Sequence, residues 1–263
     1  MDHIQDANIK KENMLNYIKV RYNRITIYKQ MIATLFLLVI ISSLGVGLQL
    51  ITNTAISISS IFLFHFIVSK LRKKEEISYE SVAITGLLIG LILLPDTPYA
   101  IVLASLAAVL SKRIKLNGRH LLNPAMSGVF FAILLTNSSD AWVGASSLLL
   151  VLILGIPIAQ KYRRLHLIVP FVFTHMSLSV IHKLYYNIHP VYHDLFGGLI
   201  YFLAFFMLLE PKTTPITKNA RIAYGIISAV IIFVLGLTIP KYAVTGGLLI
   251  CNLLIQPIEK IFK

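Results

Sequence analysis

Apolar runs separated by short polar gaps occupy the chain from about residue 31 to 258. They lie at approximately 31–50, 52–69, 80–95, 97–111, 121–136, 142–159, 165–182, 194–209, 220–239 and 242–258, which predicts ten helical spans. Several are shorter than the ~20 residues a helix needs to cross the hydrocarbon core. Short spans interrupted by Gly and Pro predict broken or half-membrane helices rather than a simple bundle. Ahead of them, residues 1–30 form a basic tail in which Met14, Leu15, Ile18, Tyr22 and Ile25 fall roughly on one helical face. That pattern suits a helix lying on the membrane surface, or equally a disordered tail that only fixes orientation.

One run begins in an unusual way. In Arg119-His120-Leu121-Leu122-Asn123-Pro124-Ala125-Met126-Ser127-Gly128, Asn123 is a good N-cap and Pro124 suits the first helical position. Leucines precede the cap and a Val, Phe, Ile and Leu run follows it, so the helix is expected to start below the membrane surface. Unpaired N–H groups and a positive dipole end at that depth are tolerated only where protein or a cavity surrounds them. This stretch is therefore the expected functional centre.

Composition fixes the class. Of 263 residues, 57% are hydrophobic and 13% charged, with mean hydropathy +0.79, which excludes an ordinary soluble domain and predicts a multi-pass protein of the cell membrane. The net charge of +13 does not point to a nucleic-acid partner, because the basic residues sit in the gaps between spans. With a cytoplasmic N-terminus and ten crossings, 22 of the 24 Lys and Arg fall inside, leaving Lys183 and Lys241 outside. The positive-inside rule thus predicts that both termini are cytoplasmic. A single cysteine, Cys251, and no CxxC motif exclude an internal disulfide or a Cys-ligated cluster. No removable signal peptide is apparent.

Ten spans also divide into two fives, 31–136 and 142–258. An odd number per half inserts the second half upside down, giving an inverted repeat. Span three ends in Leu94-Pro95-Asp96-Thr97-Pro98 and its counterpart, span eight, in Leu209-Glu210-Pro211-Lys212-Thr213-Thr214-Pro215. Each is an acid among prolines and threonines. Span five carries Asn123-Pro124; span ten carries Asn252, with Pro257 further along.

These landmarks, with Gly197-Gly198, Arg221-Ile222-Ala223-Tyr224-Gly225 and Pro257-Ile258-Glu259, resemble the RnfD component of the Rnf electron-transport complex. The homologous NqrB component of the sodium-pumping NADH:quinone reductase is the other member of that family. The resemblance runs from about Tyr22 to Glu259. It implies an all-α polytopic membrane protein of about ten transmembrane helices, built as two inverted five-helix repeats and similar in fold to urea transporters. It also implies flavin-dependent electron transfer coupled to sodium or proton movement, in company with other membrane subunits or a redox partner protein.

The chain departs from that family in one loop. Members carry a long external loop between spans five and six, with a D-x-x-[ST]-G-A-[ST] motif whose last residue takes covalent FMN. Here the loop is only Thr136-Asn137-Ser138-Ser139-Asp140-Ala141-Trp142, and a partial match survives in Asp140-Ala141-Trp142-Val143-Gly144-Ala145-Ser146. Val143 stands where a hydroxyl residue belongs, and Ser146 is at the acceptor position. The favoured reading is a helix start, with Trp142 as an interfacial anchor and Ser146 entering span six, so that no covalent flavin forms.

The remaining candidates are weaker. Asn123-Pro124-Ala125 is also the aquaporin triplet, but that fold uses two copies in six spans. Asp96 and Glu210 suit either an ion or proton relay or a solvated span end. Glu210, where family members usually carry Asp, also suits a structural or cofactor-positioning role with Thr213 and Thr214. His65 and His175 are expected as hydrogen-bonded helix contacts or relay groups. His182, His189, His193 and Asp194 are irregularly spaced and read as a solvated loop rather than a metal site. Neither a catalytic nor a metal-binding residue is assigned, and the absence of a Gly-rich strand-to-helix turn excludes NADH binding on this chain. Two functions stay open. One is an electron-transfer subunit holding riboflavin or FMN noncovalently near Asn123, Pro124 and Asn252, where the half-helix dipole would stabilise a reduced, anionic ring. The other is a cofactor-free solute or ion pathway on the same fold.

Overall fold

A computed structural model describes residues 25–71, 78–94, 98–188 and 197–262. The surface-helix expectation for the tail and the roles weighed for Asp96, His189, His193 and Asp194 lie outside them, apart from Ile25. Eleven α-helices occur among the described residues, and they make up ten spans. Helices α1 (Ile27–Val46), α2 (Leu48–Leu71), α7 (Leu165–Tyr185) and α9 (Lys218–Thr238) are long and apolar enough to cross a membrane. Shorter apolar helices are α3 (Tyr79–Ile92), α4 (Pro98–Ser111), α5 (Pro124–Thr136), α6 (Leu148–Lys161) and α8 (Gly198–Phe202), the last running into a π-helical turn, Leu203–Met207. Span ten is a pair, α10 (Ala243–Leu253) and α11 (Ile255–Ile261), bent by 48° at Leu254.

Boundaries follow local chemistry. The α1–α2 turn falls at Gly47, whose φ of 91° ends α1, shortly before the gap expected near residue 51. Thr26, Ser147 and Thr217 cap α1, α6 and α9 by accepting from Lys29, Leu150 and Ala220 N–H at 3.3–3.4 Å. The bend in span ten, 242–258, is of the kind expected of a short span interrupted by Gly and Pro. Pro257 has no N–H to give the Leu253 carbonyl four residues back, so the ladder breaks between them.

A small β-hairpin joins α4 to α5, an addition to the all-α reading. Strands β1 (Lys115–Leu116) and β2 (Arg119–His120) pair antiparallel with Lys115 opposite His120. Its turn is Asn117-Gly118, with φ of 52° and 77°, the two positive values a type I′ turn demands.

The packing repeats between halves. Span two packs on span four as seven does on nine, and four on five as nine does on ten. Across the middle, α1 touches α6 and α5 touches α10; each span meets its own counterpart, as a two-fold axis between inverted halves requires. The contact surface is largely apolar and deeply buried, with Leu35, Ile89, Ile92, Val129, Phe202 and Phe206 all at 0–1% exposure. Outward faces such as Phe36, Leu44, Leu149 and Phe173 stay exposed and apolar, suiting contact with lipid.

Candidate functional site

Helix α5 starts where the sequence places it. Asn123 Oδ1 accepts from Met126 N–H at 3.1 Å with Pro124 at the first turn, and the capping residue is 2% exposed. With 13 residues, α5 rises only ~20 Å against a core of ~30 Å, so its start is buried in protein as expected.

The two halves meet at this cap. Asn123 N–H donates to Asn252 Oδ1 at 2.7 Å, and Asn252 Nδ2 donates to the Tyr224 hydroxyl at 3.0 Å. Asn123 Nδ2 reaches the Met207 carbonyl at 3.4 Å. That carbonyl closes the π-helical turn, where Leu208 N–H bonds back five residues to Leu203 at 2.9 Å; such turns recur at functional sites. Asn123 and Asn252 are therefore brought together, as their pseudo-symmetric positions predict, and their polar atoms are largely spent on each other and on neighbouring backbone.

Beside the cap lies a chamber lined by Tyr28, Ser81, Thr85, Asn123, Pro124, Tyr162, Phe206 and Glu210, with about 50 Å³ of free space. The loop from Glu210 to Thr217 forms its edge. Thr213 Oγ1 donates to Glu210 Oε2 at 3.3 Å and Thr214 Oγ1 to the Glu210 carbonyl at 3.0 Å, so both threonines position the acid by folding its loop. Ser146 is not part of this group. It lies at the opposite end of α6, exposed, between the 3-10 turn Val143–Ala145 and the cap Ser147. This corrects the expectation that Ser146 enters span six.

Trp142 is corrected too. A left-handed backbone, φ 47°, turns its ring inward to 7% exposure, where Nε1 donates to Asp140 Oδ2 at 2.7 Å and the ring meets Phe202 edge-on. It packs between the halves and anchors nothing at a lipid interface. Ala141 and Trp142 N–H both bond the Ile92 carbonyl, at 2.8 and 3.2 Å, fastening the shortened loop to the end of α3. Among the intramembrane histidines, His65 is buried with no hydrogen bond on Nδ1, and His175 packs against Phe171 and Phe233.

Three arginines to which the sequence assigns no individual role at the site close its edge. Arg119, Arg164 and Arg221, from three separate elements, close on the same loop. Arg119 donates to the Thr214 carbonyl and pairs with Glu259 at 2.9 Å; Arg164 donates to Thr214 Oγ1; Arg221 Nε donates to the Pro215 carbonyl at 2.9 Å. Burial, then the charges of Arg221 and Arg119, pushes the Arg164 guanidinium down to about 10, still charged at neutral pH. The available signal was residue choice, since a planar fork holds several carbonyls at once where lysine offers a point charge.

The chain is thus an inverted-repeat polytopic membrane protein whose half-length and bent helices converge on one buried polar junction. It belongs to the NQR2, RnfD, RnfE family, whose model matches residues 17–143 and 132–263. The two matched stretches meet at the short loop that divides the halves. No curated protein matches the chain.

The family resemblance implies a flavin, and the chamber tests the fit. Its walls offer hydroxyls, an amide and aromatic rings, but a ligand pocket for a ring system spans roughly 300–1,000 Å³. The ~50 Å³ beside Asn123 is closed to an isoalloxazine in this arrangement. Hollows of about 480 and 410 Å³ exist elsewhere in the described residues, and neither touches Asn123, Glu210 or Asn252. For the covalent alternative, the expected result is a denatured band without flavin fluorescence in a gel. A fluorescent band abolished by Ser146→Ala would show the reverse.

Proposed function

We propose that this chain is the membrane-embedded subunit of an ion-coupled electron-transport assembly of the Rnf/Nqr type. Its termini lie in the cytoplasm, and partner subunits supply the NADH or ferredoxin chemistry for which this chain has no binding turn. The family membership over nearly the whole chain carries this reading. In it, riboflavin or FMN is the cofactor, held noncovalently beside Asn123 in a chamber wider than the present one. The Asn123–Asn252 bond fixes the two halves at their junction, Thr213 and Thr214 set Glu210 at the chamber edge, and the arginines lock that edge in place.

The size of the chamber favours a second reading. Space for a few waters between Ser81, Thr85, Asn123 and Glu210 suits a small solute or ion passing between the halves without a redox group.

A visible absorption spectrum of the detergent-purified protein separates the two. Flavin bands near one per chain, lost in Asn123→Ala, support the electron-transport reading with its cofactor at the cap. A colourless preparation that conducts solute or ions in liposomes rejects the flavin and supports the pathway.

A further inference from the structure

Helices α5 and α10 run antiparallel. They are tied at one end by the Asn123–Asn252 hydrogen bond and at the other by Lys241 Nζ, which donates to Asn137 Oδ1 just past the end of α5. Between these ties, the two helices and α9 leave a slot of about 410 Å³, walled by Leu122, Phe130, Leu235 and Tyr242 among others. Gly246 sets its width, since an added Cβ there would stand 3.2 Å from the Phe130 ring. At its mouth Leu134, Ile239, Ile250 and Leu253 are 44–52% exposed, so the slot opens sideways toward lipid.

Shape and chemistry narrow the occupant. Every side chain that lines the slot is Leu, Ile or Phe apart from Tyr242, so a polar ligand would lose its hydrogen bonds to water and regain few. A helix lying in it, 10–12 Å across, would need about three times that volume over the same length. From Tyr242 to Leu253 the wall rises ~16 Å, about the depth of one leaflet of a ~30 Å hydrocarbon core. A single hydrocarbon chain fits both dimensions. Charge stands at one end only. The Lys241 ammonium lies 5.8 Å from the centre of the Tyr242 ring, and Asn137 takes one of its three hydrogens. Asp140, the acid that feels this charge, already accepts from Trp142 Nε1 at 2.7 Å. An anion joined to the top of the chain completes the arrangement, and a phospholipid carries its phosphate at that place.

We infer that the slot between α5, α9 and α10 is a lipid-binding site that takes one acyl chain of a phospholipid, with the lipid phosphate at Lys241.

Native mass spectrometry of the full chain, extracted from phospholipid nanodiscs into detergent, tests this. One phospholipid per chain is expected to stay bound after the surrounding annulus has been stripped. Gly246→Leu, which fills the slot, cuts that retention more than tenfold. Gly45→Leu, on an open face of α1 with nothing within 4 Å, leaves it unchanged. Lys241→Gln weakens the phospholipid about fivefold, in keeping with one lysine at a lipid surface, and does not alter diacylglycerol, which has the chains without the phosphate. A native chain that retains no phospholipid, a Gly246→Leu protein that retains it fully, a Lys241→Gln protein of unchanged affinity, or equal retention of phospholipid and diacylglycerol would overturn the site. Should Gly246→Leu fail to fold, photolabelling of the native chain decides the matter. A phospholipid with a mid-chain diazirine is expected to mark residues 130–134 or 249–253, and labelling spread evenly over the outer helices rejects the slot.

Discussion

Asn252→Leu lowers unfolding free energy by about 3 kcal/mol, the largest effect expected of a single side-chain truncation at the junction. The leucine keeps the branched shape but removes both bonds of the amide. One orphan is the Asn123 N–H at the start of α5, in a residue 2% exposed; the other loss is the bond to the Tyr224 hydroxyl at 0% exposure. Each buried group left without a partner costs about 1–3 kcal/mol. Unfolding in bicelles titrated with denaturing detergent measures the change. A loss under about 1 kcal/mol would mean that the Asn123–Asn252 bond is not what joins the halves.

Gly198→Ala is expected to be harsher, cutting the yield of monodisperse protein more than tenfold. A Cβ there runs into the backbone carbonyl of Ala145, at the start of α8 against the turn Val143–Ala145. Overpacking against a side chain usually costs about 1–3 kcal/mol because the neighbour rotates away; a carbonyl held in a 3-10 turn has no such escape. Gly236→Ala is the internal control: nothing lies within 4 Å of its added methyl, and alanine is the better helix former. Size-exclusion profiles of the two variants side by side decide the matter, and equal peaks would mean that α8 does not approach the turn so closely.

Much of the architecture is legible in the pattern of apolar runs. Among the described residues the ten runs correspond to eleven helices, the last run being divided between α10 and α11, and the Asn123-Pro124 cap marks the start of α5, because capping chemistry is local and survives burial. The meeting of Asn123 with Asn252 is legible only through the repeat argument, since 129 residues separate them. Other features depend on geometry that periodicity does not carry. The hairpin has only Asn117-Gly118 to announce it, because a two-residue strand has no alternation to detect. The inward turn of Trp142 rests on a left-handed backbone that its side chain does not favour, so composition suggests an interfacial ring instead. The arginines look like topology signals because the carbonyls they hold lie on a loop that is near in the fold and, for Arg119 and Arg164, distant in the chain. The size of the chamber beside Asn123 cannot be read from sequence at all, since it is set by how closely Tyr28 and Tyr162 pack.

The pinning of the loop between the halves has a modular implication. Asp140, Ala141 and Trp142 are tied to α3 and Phe202, whereas Asn137 and Ser139 just before them are exposed. Chain added between Thr136 and Asp140 would leave every helix register untouched, so an appendage on this loop and the bilayer-embedded scaffold are mechanically independent parts, and one can be lengthened or trimmed without rebuilding the other.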